Sequence, residues 1–209
     1  QEKTGANDLQ LYLSKMSGAK VPIGTDASVS GNRIRIGVFG KRPVDEWKGD
    51  RPGEDAFTIE TRTRETGGTD LFLVGGDPRG AEYAVYELLE RFLGVRWYMP
   101  TELGEEVPAR KTVELEVPKW SNKPDYDAVG GLTWHGGPGA DDWRRHNKGD
   151  VGSPTYFFGH SWSGYIDPTE ENKKAHPQWF ALNKDGTRSE QLCTSNPEVI
   201  QIFIDKVNV

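Results

Sequence analysis

Residues able to do chemistry are gathered in the second part of this 209-residue chain: beyond residue 118 lie all four histidines, the single cysteine and five of the seven tryptophans. Tyr156-Phe157-Phe158-Gly159-His160-Ser161-Trp162 reads as a buried strand that delivers polar and aromatic groups at its C-terminal end. In parallel α/β sheets and barrels that end is where ligands bind. Trp162 and Tyr165 then offer flat apolar faces with polar edges, a shape suited to the C–H face of a sugar ring, and Trp134-His135 has the same character at the end of the preceding strand candidate. The same aromatics would serve equally well to pack a core or an interdomain contact. Trp143-Arg144-Arg145-His146-Asn147 can hold an anionic or polyhydroxylated group through charge-assisted hydrogen bonds. Of its two arginines, Arg144 suits a solvated helix face better than Arg145 does.

Other chemistries are less well supplied. His135, His146, His160 and His176 form no i, i+4 pair and stand beside no acidic metal-binding motif, so neither a metal nor another cofactor is expected. Cys193 beside one of these histidines would make a nucleophile, but a lone cysteine in a strand pattern is more readily a small buried residue. Gly75-Gly76-Asp77-Pro78-Arg79-Gly80 lacks the spacing of a dinucleotide or P-loop fingerprint and reads as a tight turn in which Asp77 caps a helix. Glycoside hydrolysis needs two carboxyl groups flanking the scissile bond, one of them a proton donor. Most of the acidic residues between 119 and 209, Glu198 among them, fall in turns or exposed helix starts, and none sits just after a strand beside an aromatic motif. No catalytic residue is assigned.

The elements that must position these groups follow from apolar spacing. Leu9, Tyr12, Leu13 and Met16 fall at i, i+3, i+4 and i+7 behind a cap at Asn7 or Asp8, which predicts a helix that Gly18 ends. Residues 33–39 alternate as a half-buried strand, 40–54 read as a loop, and strands over 56–62 and 70–75 make a hairpin around Glu65-Thr66-Gly67-Gly68-Thr69. Ala81, Ala84, Val85, Leu88, Leu89 and Phe92 mark a second helix with Gly94 as its left-handed cap. A short strand over 95–98 and an alternating strand through Val113, Leu115 and Val117 complete an α/β layer, and Pro118-Lys119-Trp120-Ser121-Asn122-Lys123-Pro124 reads as a linker. Beyond it, strand-like runs at 126–133, 155–160 and 191–193 are interspersed with helical stretches at 141–148, 169–174 and 197–207. Asn196-Pro197-Glu198 marks the last helix start. Such alternation predicts βα units and a parallel sheet. The expected fold class is α/β: a small α/β domain over residues 1–118, then over 119–209 the first two or three units of a β/α barrel, which in full takes eight units and ~250 residues.

Composition bounds the function. With 32 acidic against 26 basic side chains and a net charge of −6, the chain lacks the basic surplus that nucleic-acid binding requires. No apolar run approaches the ~18–20 residues that span a bilayer. One cysteine excludes an intrachain disulfide and leaves the compartment open. The chain starts Gln1-Glu2-Lys3 and stops within a helical pattern, so it reads as a fragment of a longer protein cut at both ends, and a secreted or periplasmic protein without disulfides would look the same.

Asp8-Leu9-Gln10-Leu11-Tyr12-Leu13-Ser14-Lys15-Met16-Ser17-Gly18-Ala19 resembles the first helix of the small α/β domain that precedes the barrel in alpha-glucuronidases and beta-hexosaminidases. The 75–80 turn, Tyr83, Tyr86-Glu87-Leu88-Leu89-Glu90 and Gly94-Val95-Arg96-Trp97-Tyr98 look like its second helix and following strand. Residues 155–198 resemble a bacterial glycoside-hydrolase-like family catalogued as a domain of unknown function, through Gly159-His160-Ser161-Trp162, His176-Pro177-Gln178-Trp179-Phe180-Ala181-Leu182 and Gln191-Leu192-Cys193-Thr194-Ser195-Asn196-Pro197-Glu198. The resemblance implies a barrel that acts on an oligosaccharide or polysaccharide by acid/base hydrolysis, with its catalytic carboxylates on strands beyond residue 209. By the same analogy His160, Trp162 and Cys193 lie at the ends of early barrel strands and Arg145 near the site rim, lining the pocket without transferring the proton. The rival expectation is a non-catalytic carbohydrate-binding protein that uses the same aromatic face.

Overall fold

The computed structural model describes residues 2–25, 30–115, 117–125, 137–149 and 161–207. The chain folds as two compact units, residues 1–153 and 154–209.

In the first unit, helix α1 (Glu2–Ser17) buries the stripe Leu9, Tyr12, Leu13 and Met16 and ends where Gly18 takes a φ of +75°. It starts well before the Asn7/Asp8 cap that the sequence suggests. Gly5 lies so near α2 that a Cβ there would stand 3.3 Å from Val85 Cγ2, and the Asp8 carboxylate accepts from Tyr86 Oη at 2.8 Å. Tertiary contact carries the helix back beyond the local start signal.

Strands β1 (Arg33–Val38), β2 (Phe57–Thr63), β3 (Thr69–Gly75) and β6 (Trp120–Asn122) form one mixed sheet in the order β1-β3-β2-β6. β1 runs parallel to β3, and β2 is antiparallel to both β3 and β6. Central β3 is buried on both faces, so its apolar residues are continuous where those of β1 alternate. Leu71 and Leu73 meet the helices on one side, while Phe72 and Val74 meet Val44 and Trp47 from the 40–54 loop on the other. Asp70 fixes the parallel register, accepting from Arg33 Nε and Nη2 at 2.6 Å each, with Arg35 and Arg64 Nε both at 3.2 Å. These guanidiniums hold its carboxyl below the ordinary range despite burial.

Helix α2 (Pro78–Glu87) is capped by Asp77, whose Oδ1 accepts from Gly80 N at 2.8 Å, with Pro78 in the first turn. It runs on as a π-helical turn over Leu88–Phe92, which adds a residue to the turn and buries Leu93 as well as Leu88 and Leu89. Gly94, at φ +81°, ends it as expected. The 75–80 glycines serve close packing, as the sequence reading has it: a Cβ on Gly76 would lie 1.9 Å from Gly53 O, and one on Gly80 2.3 Å from Ala56 O.

Two segments depart from their predicted form. Among the described residues no ladder includes Val113, Leu115 or Val117, although all three pack on the core. The presumed linker instead contributes edge strand β6, whose Trp120 ring lies under the Arg91 guanidinium at 4.1 Å. Strands β4 (Arg96–Trp97) and β5 (Glu105–Glu106) pair antiparallel. Helix α3 (Ala140–His146) also belongs to this unit, with Trp143 Nε1 donating to Trp97 O at 2.9 Å.

In the second unit, a 3₁₀ turn (Ser161–Gly164), helix α4 (Glu170–Ala175), a 3₁₀ turn (Pro177–Trp179), strands β7 (Phe180–Leu182) and β8 (Arg188–Leu192), and helix α5 (Pro197–Val207) surround Ile166, Phe180, Leu192 and Val199. Asn196 caps α5, as the sequence indicates, and Thr169, read only as part of the helical stretch, caps α4. The run at 191–193 proves to be the end of a longer strand, because it has a partner that periodicity does not reveal in three residues: β7 and β8 pair antiparallel. The strand candidates at 126–133 and 155–160 lie outside the described residues. The α/β class holds.

Candidate functional site

Arg145 sits on α3 in the first unit, bonded to Asp142 Oδ1 at 2.5 Å, with its Nε 3.7 Å from Glu82 Oε1. Around it lies a buried polar network. Tyr86 Oη stands between Asp8 at 2.8 Å and Glu82 at 2.9 Å, and His146 Nε2 is 3.6 Å from Asp8. Trp97 Nε1 donates to Tyr12 Oη at 2.7 Å, and Tyr12 in turn donates to Glu105 at 2.6 Å, which Lys15 also reaches. Burial pushes both phenols far above their usual range, so neither ionises, and Lys15 and Tyr12 hold the Glu105 carboxyl below its own. His146 packs edge-on against Tyr86 and Tyr12 and tilted against Trp97. Each group is engaged by a neighbour within the fold, so the network joins α1, α2 and α3 instead of presenting reactive atoms.

A recess of about 130 Å³ in the same unit is lined by Asp55, Phe57, Tyr83, Asn122, Lys123, Pro124 and Lys148. That is below the ~300–1,000 Å³ of small-molecule sites, and its Lys148 is bonded to Glu87 and Glu90.

The second unit is different in kind. Trp162 is 42% exposed and meets Phe203 of α5 edge-on at 4.6 Å between centroids, and Tyr165 leans on the same ring at 4.8 Å. α5 thus brings together the two aromatics singled out in the sequence. Its first turn supports a second arrangement. Pairing of Phe180 with Leu192 forces the residues flanking the hairpin, Trp179 and Cys193, side by side, and Cys193 N donates to Trp179 O at 2.7 Å. Asn196 Nδ2 donates to Gln178 O at 2.9 Å, and Glu198 Oε2 accepts from Trp179 Nε1 at 2.6 Å and Gln178 Nε2 at 3.2 Å. His176 stacks parallel on Trp179 with centroids 3.8 Å apart and planes 5° from parallel. The sequence words at 176–182 and 191–198 therefore meet in one corner, where an exposed carboxylate, two amides and a stacked ring pair lie together.

Trp179 and Gln178 hold the Glu198 carboxyl below the usual range, with His176 adding to the effect. A carboxyl kept ionised is a hydrogen-bond acceptor and a poor proton donor. Cys193 is half-buried, its Sγ 3.4 Å from Ser195 Oγ, and that contact lowers the thiol somewhat. His160 and Trp134 lie outside the described residues. Spacing alone makes Glu198 an exposed acid at a helix start and Asn196 its cap, and assigns Gln178, Asn196 and Glu198 no place in a common site. The signal that finds them is Asp185-Gly186, a hairpin turn dipeptide whose Gly186 takes a φ of +84°. Reading it closes β7 onto β8 and makes the corner a consequence.

Among the described residues no cluster of histidine, cysteine and acidic groups is arranged to hold a metal, and no helix is long and apolar enough to cross a membrane. No curated protein matches the chain. Residues 99–209 match the model of the family described as Domain of unknown function (DUF4838), and the chain belongs to that family.

Proposed function

We propose that the protein acts on glycans, its second unit supplying a sugar-binding surface of a glycoside-hydrolase-like protein whose acid and base lie on barrel strands beyond residue 209. The observation that carries this reading is the corner at 176–179 and 193–198, where Glu198, Gln178 and Asn196 surround a stacked aromatic pair. Polar edges around a flat apolar face suit a sugar, which presents hydroxyls at its rim and C–H groups on its ring. On this reading the first unit is the small α/β domain that precedes the barrel in alpha-glucuronidases and beta-hexosaminidases, and a mixed sheet with its helices packed against one face is compatible with that role. The setting is secreted or periplasmic and bacterial.

The depressed Glu198 carboxyl favours a second reading, a carbohydrate-binding protein with no hydrolytic step. Both readings predict sugar binding. They separate on a panel of chromogenic glycosides that includes glucuronides and N-acetylglucosaminides, tested with this chain and with one extended downstream. Turnover by the extended chain alone supports the first reading, and turnover by neither supports the second. Turnover by the 209-residue chain itself would place a catalytic acid within it and overturn the assignment of hydrolysis to later strands.

A further inference from the structure

We infer that Glu198 makes the corner selective for neutral, hydroxyl-bearing sugars over uronic acids. The inference deepens the glycan reading above and rests on it. Glu198 is anchored through one oxygen. Oε2 accepts from Trp179 Nε1 and Gln178 Nε2, while Oε1 has no partner among the described residues and belongs to an exposed side chain. An acceptor already fixed by two donors loses little further freedom when it bonds a ligand, and a hydroxyl donating to an ionised carboxylate makes a bond roughly twice as strong as one to a neutral acceptor.

The charge around the corner sets the selection. A uronic acid brings a carboxylate of its own, which meets the ionised Glu198 as a like charge, and among the described residues no lysine or arginine is bonded to Glu198. Arg188 donates Nη1 to Phe180 O and keeps its charge, which acts on Cys193. Arg145, the sequence candidate for an anionic group, is bonded to Asp142. Beside Glu198 the parallel His176–Trp179 pair offers a flat surface for ring C–H groups. Carboxylate, amide and flat ring match a sugar ring with free hydroxyls, and a second carboxylate brought there meets the charge of Glu198.

Glu198 also stands in the first turn of α5, where a negative charge complements the helix dipole, so a purely structural role must be separated from a binding one. Glu198→Gln keeps an oxygen for Trp179 and removes the charge. Glu198→Asp keeps the charge and shortens its reach. The full chain and both variants, matched first by near-UV circular dichroism, are titrated calorimetrically with cello-, xylo- and manno-oligosaccharides and with oligogalacturonides and glucuronoxylan fragments. The expected result is a wild-type preference for neutral ligands, a loss of about tenfold in neutral affinity with Glu198→Gln, and uronate binding by that variant equal to or better than wild type. Glu198→Asp keeps the sign of the preference. Equal weakening of both classes, no change in either, or a wild-type preference for uronates overturns the inference while leaving the glycan reading intact. Absence of binding by the wild type to every glycan overturns the reading itself, and the inference with it.

Discussion

Replacing Tyr86 by phenylalanine removes one oxygen from the middle of the first unit and leaves the ring. The side chain is 0% exposed, and its hydroxyl lies 2.8 Å from Asp8 and 2.9 Å from Glu82, which is itself 1% exposed. A hydrogen bond to a charged partner contributes about 1.5–3 kcal/mol, and a buried acceptor left unsatisfied costs about as much again. Arg145 Nε, at 3.7 Å, is too far from Glu82 to replace the lost bond. The substitution should therefore destabilise the first unit by about 3 kcal/mol. Tyr98→Phe is the control, since that hydroxyl bonds Glu106 at 2.9 Å on the surface, and it should cost no more than about 0.5 kcal/mol. Hydrogen exchange read by mass spectrometry on peptides from α1 and α2 reports this unit separately from the rest of the chain. A loss below about 1 kcal/mol for Tyr86→Phe, or equal losses for the two variants, would refute the view that this network holds the three helices together.

Three further outcomes follow from the same structure. Lys148 and Arg91 hold the buried Glu87 carboxyl below its usual range, so its contribution is fully present above the unfolded carboxylate value of about 4.3 and is lost as pH falls through the lower folded one. Glu87→Gln should therefore lower the urea midpoint at pH 7 and flatten its fall below about pH 4, and an unchanged acid slope would contradict the assignment. Gly76→Ala drives a Cβ to 1.9 Å from Gly53 O, and a cost of about 3 kcal/mol or more is expected in thermal unfolding; a near-neutral effect would show that the turn yields. Thr101 carries φ +74° and ψ 169°, a conformation that glycine adopts without strain, so Thr101→Gly should leave stability unchanged or raise it by about 1 kcal/mol, and a clear loss in the same melt would count against strain there.

What the sequence conveys well is whatever apolar spacing and glycine position encode locally. The hairpin of β2 and β3, the stripe of α1, the Asp77 cap and the Gly94 stop each have a signal within a few residues, and each forms. Long-range contact decides what the sequence does not convey. The first turn of α1 forms because α2 passes close to Gly5, and Trp120–Asn122 becomes a strand because the edge of β2 is open to it, despite the prolines on either side. Arg145 shows the same limit: its charge and position suggest a ligand contact, yet its partner Asp142 is only one turn away and Glu82 completes its surroundings. In the second unit Trp162 and Tyr165 are legible as individual residues, but their meeting over Phe203 depends on α5 packing back on them. The corner around Glu198 needs a three-residue strand too short to show periodicity, and only its turn dipeptide betrays it.

The most direct test of the glycan reading is saturation-transfer NMR on the full chain with neutral oligosaccharides, irradiating aromatic protein protons. The account predicts saturation of sugar ring C–H protons, and a fall in affinity of about tenfold when Trp179, the ring of the corner, is replaced by alanine. Absence of saturation for every glycan, or transfer unaffected by Trp179→Ala and by Glu198→Gln alike, would contradict it.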